Sequence, residues 1–190
     1  MESMRDSVVL TGQDVLFLRS LSPSDREVSF SLRFDRRGVS VRRLSGMSAT
    51  EGDECSGEDC SVAPGADEVC AHTHPRGERV SSADLLVAVS RHPRFGGARR
   101  LSMVIAPKGL YSYAPSERLL GVWAEQDVAT LWKFKAYLQW VGHQLQEDTQ
   151  RGDVREFLAF LRGLGFDVSY VPYASIRPPD SLVFGLSSGS

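Results

Sequence analysis

The sequence has little of what marks a membrane, secreted or nucleic-acid-binding protein. No apolar run approaches the roughly 18 residues of a membrane span, and the start of the chain lacks the pattern of a signal peptide. Its three cysteines cannot all pair within the chain, which is typical of a reducing compartment. A formal net charge of −2 gives no basic field for nucleic acid or anionic lipid. We therefore expect a soluble cytoplasmic protein without nucleic-acid or membrane partners.

The length and composition are those of one compact domain. With 190 residues, 42% of them apolar, the chain has material for one sizeable core. We expect residues 1–125 to form the core unit and residues 126–175 to add helices and a strand packed on the same domain. The Ser- and Gly-rich stretch 176–190 reads as a tail. Residues 50–68, rich in Gly, Asp, Glu and Ser, read as a mobile acidic loop.

Hydrophobic periodicity places the regular elements. Alternating or apolar runs predict strands, two pairs of which are joined by turn residues as hairpins. Patterns with a helical period predict helices, of which the one from Asp127 to about Gln146 is the longest. The predicted strands are "VVL", "EVSFSLRF" with "VSVRRL", "EVCAHTHP", "RLSMVIAP" with "LYSYAP", and "FDVSYVPY"; the other predicted helices are Gln13–Leu21, "SSADLLVAVSRH" and Val154–Leu164.

The stretch "CAHTHPRGERVSSAD" carries the chemistry of interest. In a strand, side chains two residues apart point to the same side, so His72 and His74 can converge on one ion. Zinc accepts imidazole nitrogens and a carboxylate, and Asp84 in the first helical turn can supply the latter. Taken alone, Ser81-x-x-Asp84 is more typical of a helix-capping box, and an isolated His-x-His pair is more often polar strand surface.

Other residues have alternative interpretations that the sequence leaves open. Cys70 is a soft metal ligand or, more commonly, a buried free thiol. The thiols of "ECSGEDC" lack the second pair expected of a zinc site. The three tryptophans fit core or helix packing better than a recognition patch: Trp123, Trp132 and Trp140.

The histidine stretch resembles the signature of the JAMM (MPN+) metallopeptidases: His-Ser/Thr-His-Pro, six residues, then Ser-x-x-Asp. The matching positions are His72, Thr73, His74, Pro75, Ser81 and Asp84. Five residues, "RGERV", stand where the family has six. The family also has a glutamate at the start of an earlier strand, some forty to fifty residues before the first histidine. Glu27 opens "EVSFSLRF" 45 residues before His72, and it is the candidate with that context.

The resemblance implies both a fold and a reaction. The fold is α/β (α+β), a curved mixed sheet flanked by helices of the cytidine-deaminase-like JAB/MPN type, with a C-terminal helical elaboration. The implied cofactor is Zn2+ on His72, His74 and Asp84, with Glu27 as general base and Ser81 as oxyanion donor. The implied activity is an isopeptidase acting on conjugates of ubiquitin or a ubiquitin-like protein, as in a deubiquitinase. A protein partner or a homo-oligomer is left open.

Three alternatives are weighed against this interpretation. The first alternative is an inactive MPN-type binding scaffold, and the second is a JAMM peptidase with a non-ubiquitin substrate. A PHP-type phosphoesterase also uses His-x-His, but it needs several further histidines and only His92 and His143 remain. The count of histidines argues against the phosphoesterase.

Overall fold

The structure is a computed structural model in which residues 7–21, 27–35, 38–44, 68–75, 79–91, 101–124, 129–130, 132–134, 136–137, 140, 154–177 and 180–185 are described. These parts of the chain contain eight strands and four α-helices whose first and last residues are defined. They are β1 (Ser7–Thr11), α1 (Gly12–Ser20), β2 (Ser29–Asp35), β3 (Gly38–Leu44), β4 (Glu68–Thr73), α2 (Ser82–Arg91), β5 (Ser102–Ile105), β6 (Gly109–Pro115), α3 (Glu117–Ala124), α4 (Val154–Gly163), β7 (Phe166–Pro172) and β8 (Ser181–Gly185).

Six of the strands form one mixed sheet in the order β3-β2-β4-β5-β6-β7. Only β4 and β5 run parallel, because α2 connects them; the other neighbours in this sheet are antiparallel. The expected mixed sheet flanked by helices is therefore confirmed at the level of architecture. β1 and β8 form a separate two-stranded antiparallel sheet.

Each face of the large sheet carries its own hydrophobic core. On one face, strand residues such as Leu32 and Met103 pack with α1 and β1. On the other face, residues such as Tyr111 pack with α2, α3 and α4. In β4, Val69, Ala71 and Thr73 alternate toward the first core, so Cys70 and His72 point to the face that carries α2.

The topology gathers three chain segments at one end of β4. Because β2 is antiparallel to β4, the beginning of β2 lies beside the end of β4, where Ser29 pairs with His72. The helix α2 begins after the short connection that follows this end of β4. The beginning of β2, the end of β4 and the first turn of α2 therefore meet.

Most predicted elements are confirmed, including both hairpins, β1, β4, β7 and the helices α1, α2 and α4. Helix α3 was not predicted from the sequence. Its signal is Ser116, whose hydroxyl accepts a hydrogen bond from the Leu119 N–H at 3.2 Å as an N-terminal cap. The turn after α4 ends at a glycine in the left-handed region, Gly165 with φ 96°.

Two predictions differ from the structure. The stretch 176–190 was expected to be a tail, but it contains β8, whose residues pair with β1 in register from Ser7–Gly185 to Thr11–Ser181. Trp132 and Trp140 were expected to pack, but their side chains are 63% and 62% exposed on a segment whose described residues are helical. The acidic loop lies outside the described residues except for Glu68, which begins β4. No helix within the described ranges is long and apolar enough to cross a membrane.

Candidate metal centre

Strand β4 brings the two histidines together. His72 is in the strand and His74 follows it, with the His74 N–H donating to the Ile105 carbonyl at 3.0 Å and so extending the contact with β5. The Nε2 atoms of the two imidazoles lie 2.9 Å apart. Both rings are largely buried, with 19% of the His72 side chain and 6% of the His74 side chain exposed.

Helix α2 supplies the carboxylate. Leu85 and Val89 are buried against the sheet, which fixes the helix so that its first turn faces the histidines. The Oδ1 atom of Asp84 lies 2.9 Å from His72 Nε2, and its Oδ2 atom lies 3.4 Å from His74 Nε2. Asp84 is 13% exposed. The sequence prediction that these three side chains converge agrees with this geometry.

The separations suit a small tetrahedral ion. With ligand bonds of about 2.0 to 2.1 Å, the ligand atoms around zinc lie about 3.3 Å from one another. The two nitrogens and the carboxylate oxygens are 2.9 to 3.4 Å apart, and the potential ligand atoms of all three residues fall within 4.8 Å. Two imidazoles and a carboxylate are also the donor set that zinc prefers, with a further position left for water. The residues present therefore fit a zinc ion.

A backbone carbonyl fixes the tautomer of His74. The Nδ1 atom lies 2.8 Å from the carbonyl oxygen of Arg79, and because a carbonyl only accepts, Nδ1 must carry the proton. Neutral His74 therefore has its lone pair on Nε2, facing the cluster, as metal-binding histidines commonly do. The guanidinium carbon of Arg79 lies 5.1 Å from the centroid of the Phe157 ring, so α4 supports the loop that provides this carbonyl.

Electrostatics in the cluster favour a charged carboxylate. Burial alone would raise the pKa of Asp84, but the two histidines and the Ser81 N–H hold that pKa well below its usual range. Burial lowers the pKa of His72, yet attraction to Asp84 and the hydrogen bond to it prevail and leave the pKa raised. Burial dominates at His74, whose pKa is lowered despite Asp84. Asp84 is therefore an anion and His74 a neutral imidazole at neutral pH.

Glu27 lies at the edge of this cluster, just before β2. Its Oε1 atom is 3.9 Å from His74 Nε2, and 45% of its side chain is exposed. A carboxylate in this position is accessible to water and adjacent to the three grouped side chains. Four other glutamates stand between Glu27 and His72 in the sequence: Glu51, Glu54 and Glu58 lie outside the described residues, and Glu68 begins β4.

Ser81 acts as the N-terminal cap of α2. Its hydroxyl accepts from the Asp84 N–H at 3.2 Å and donates to Asp84 Oδ2 at 2.8 Å, while the Ser81 N–H donates to the same oxygen at 2.7 Å. The capping interpretation and the metal-site interpretation are thus compatible, because the cap orients the carboxylate that faces the histidines. The oxyanion role of Ser81 stays a prediction, since its single hydroxyl proton is directed at Asp84 here.

Two contributors escaped the sequence reasoning. The Arg79 carbonyl has no sequence signature, because every residue carries one. Thr73 has a sequence signal only as a position of the signature, but its hydroxyl accepts from the Val28 N–H at 2.9 Å, next to Glu27. Cys70 is partly buried with a free thiol. The remaining candidates, Cys55, Cys60, His92 and His143, lie outside the described residues.

Comparison of the chain with protein-family models, with curated proteins and with solved structures gave no match.

Proposed function

We propose that the protein is a zinc-dependent isopeptidase with a JAB/MPN-type fold, hydrolysing amide bonds to ubiquitin or a ubiquitin-like protein. The observation that carries the proposal is the grouping of His72, His74 and Asp84 within 4.8 Å, with the Glu27 carboxylate 3.9 Å from His74. The resemblance to the JAMM signature supports the choice of reaction and of substrate class. The mixed sheet with helices on both faces is compatible with it.

The ligand set would be the two Nε2 atoms and the Asp84 carboxylate. Zinc supplies Lewis acidity, which lowers the pKa of water toward about 7 and polarises a carbonyl group. The chain itself prepares the ligands: the Arg79 carbonyl keeps the proton of His74 on Nδ1, and the Ser81 cap orients Asp84. The His74 imidazole then presents its Nε2 lone pair without moving.

Glu27 is the proposed general base and acid. Its carboxylate takes a proton from the attacking water while the water oxygen bonds to the carbonyl carbon of the scissile amide. As the carbon–nitrogen bond breaks, Glu27 returns the proton to the leaving amine, which is a lysine side chain in an isopeptide bond. Proton transfer of this kind contributes about 10²- to 10⁴-fold to a rate.

Ser81 bears on a second candidate function, that of a zinc-binding scaffold without hydrolytic activity. A hydroxyl has one proton, and that of Ser81 is donated to Asp84 at 2.8 Å, so it is not directed at a developing oxyanion. In a scaffold, the cluster would serve only to join β4 to α2.

The test combines metal content with hydrolysis. We expect about one equivalent of zinc in protein purified without chelator. Cleavage of diubiquitin of several linkages, and of conjugates of a bacterial ubiquitin-like protein, would be measured for the wild type and for Glu27→Gln. The substitution is expected to lower kcat by about 100-fold or more with the zinc content unchanged. Glu156→Gln is the matched control, because Glu156 is an exposed glutamate in the first turn of α4.

Each result has a defined meaning. Protein without zinc contradicts the metal centre and with it the enzyme. Zinc bound without cleavage of any conjugate favours the scaffold or a different substrate. Wild-type rates in Glu27→Gln remove Glu27 from the mechanism.

A further inference from the structure

Thr73 stands between the two histidines but faces the opposite side of the sheet. Its side chain is completely buried on the face that also carries Val69 and Ala71. A hydroxyl there loses water, and its burial is unfavourable unless it takes part in hydrogen bonding. The Thr73 Oγ1 atom accepts from the Val28 N–H at 2.9 Å.

This hydrogen bond extends the ladder between β2 and β4 with a side-chain acceptor in place of a backbone carbonyl. The regular pairing ends at Ser29 and His72, so the next pair along is Val28 with Thr73. The Thr73 N–H donates to the Val28 carbonyl at 3.0 Å, as in an ordinary antiparallel ladder. The return bond from the Val28 N–H goes to the hydroxyl of Thr73. That return bond depends on the identity of the side chain, whereas a backbone bond could form with any residue at position 73.

Val28 is the direct neighbour of Glu27, which lies before β2 and outside the regular ladder. The two bonds to Thr73 hold the peptide of Val28 against the end of β4, beside His74. They therefore determine where the Glu27 backbone sits and bring its carboxylate to 3.9 Å from His74 Nε2. Without the hydroxyl, one of the two bonds is lost and the Val28 N–H loses this acceptor.

We propose that Thr73 is a positioning residue for Glu27, acting through the backbone of Val28. The inference rests on the proposed function, since it gives a purpose to the placement of Glu27. On this proposal, His72 and His74 hold the metal on one face of the sheet. Thr73, which stands between them and faces the other side, positions the Glu27 carboxylate. A valine at position 73 would suit a buried strand equally well in shape but would lack the acceptor.

The test compares Thr73→Val with Thr73→Ser, which keeps the hydroxyl. We expect the valine variant to exchange the Val28 amide hydrogen about tenfold faster or more, as loss of one hydrogen bond implies. We also expect kcat to fall about tenfold or more, with KM and zinc affinity within about twofold of the wild type, because a misplaced base affects the chemical step. The serine variant should restore both the amide protection and kcat. Ser112→Ala, which removes another buried hydroxyl from the sheet, is the control and should change neither.

A second readout does not depend on activity. In the wild type, zinc addition should shift the side-chain carboxyl carbon resonance of Glu27, and in Thr73→Val this shift should shrink. Should the valine variant fail to fold, Thr73→Ala serves in its place. The proposal is overturned if Thr73→Val leaves both the amide protection of Val28 and kcat unchanged. It is also overturned if Thr73→Ser fails to restore them, or if Thr73→Val lowers the zinc affinity by as large a factor as kcat. If the wild type hydrolyses nothing, the proposed function fails, while the amide exchange and the Glu27 signal still decide the positioning.

Discussion

Helices α1 and α2 both begin with a capping box, and of these two helices only α2 contributes to the candidate site. Thr11 and Asp14 form a capping box at α1, and Ser81 and Asp84 form one at α2. In both, the aspartate N–H donates to the hydroxyl at 3.2 Å, and the N–H of the capping residue donates to Oδ2 at 2.7 Å. The hydroxyl donates to that same Oδ2 at 2.7 Å in α1 and at 2.8 Å in α2.

The two boxes differ in what meets the other carboxylate oxygen. Asp14 Oδ1 accepts from the Val39 N–H at 3.1 Å, which ties α1 to the start of β3. Asp84 Oδ1 faces His72 Nε2 at 2.9 Å in a largely buried position. The local pattern therefore accounts for the cap, and the neighbour of the second oxygen decides whether the aspartate only caps a helix or also belongs to the candidate metal centre.

The sharpest way to separate the two aspartates is to replace each by asparagine. Asp84→Asn keeps the shape and an acceptor for the cap but removes a charged ligand. Because loss of a residue that only supports a ligand already lowers metal affinity about 10- to 100-fold, we expect zinc affinity to fall by more than roughly 100-fold. Asp14→Asn should leave it unchanged. Zinc affinity would be measured by competition with a chelator, and equal effects of the two substitutions would contradict the metal centre.

A smaller difference is expected between the two capping hydroxyls. Ser81→Ala and Thr11→Ala should each lower the free energy of unfolding by about 1 kcal/mol, the usual contribution of a cap, in metal-free protein. Only Ser81→Ala should also weaken zinc binding, by about tenfold, because its hydroxyl orients Asp84. Urea denaturation and chelator competition measure the two quantities. Zinc binding unaffected by Ser81→Ala would show that the cap does not orient the ligand.

The smallest expected effect concerns the loop that leads into α2. Arg79→Met removes the guanidinium over the Phe157 ring, a contact of about 0.5 to 1 kcal/mol at most sites, and loosens the segment whose carbonyl fixes His74. We expect a decrease in zinc affinity of about two- to fivefold, within the energy of that contact. Arg79→Lys, which keeps a cation, is the control and should lose less. Arg19 is the matched control, because its guanidinium carbon lies 5.1 Å from the centroid of the Tyr173 ring, in the core on the other face of the sheet, and Arg19→Met should not affect zinc binding.

Much of the secondary structure could be predicted because it depends on local patterns. The alternation in β2 and β7, the helical spacing in α2 and the glycine after α4 all carry their signals within a few residues. The exposure of Trp132 and Trp140 could not be read in this way, since burial depends on which other elements lie nearby. The strand β8 was missed because it is short and lies in a Ser- and Gly-rich stretch, and its pairing partner β1 is at the other end of the chain.

Some groups of the candidate site likewise have a local sequence signal, and others have none. His72, His74 and Asp84 were found from their spacing, and Glu27 from its place before a strand in a pattern that resembles a known signature. Neither the tautomer of His74 nor the link from Thr73 to Val28 has a sequence signal, because each depends on a backbone group brought in from elsewhere in the chain. The sequence indicated Ser81 as a helix cap but did not indicate that it orients Asp84.

The sequence by itself determined the caps, the alternation of side chains along β4 and the residue types available for a metal, because these are properties of neighbours along the chain. Only the tertiary structure decided at what distances Asp84 and Glu27 face the histidines. The antiparallel pairing of β2 with β4 and the crossover through α2 bring Glu27, His72 and Asp84 to one end of the sheet. Hydrogen-bond ladders and two packed cores fix that arrangement, and no local pattern specifies where such long-range contacts will close.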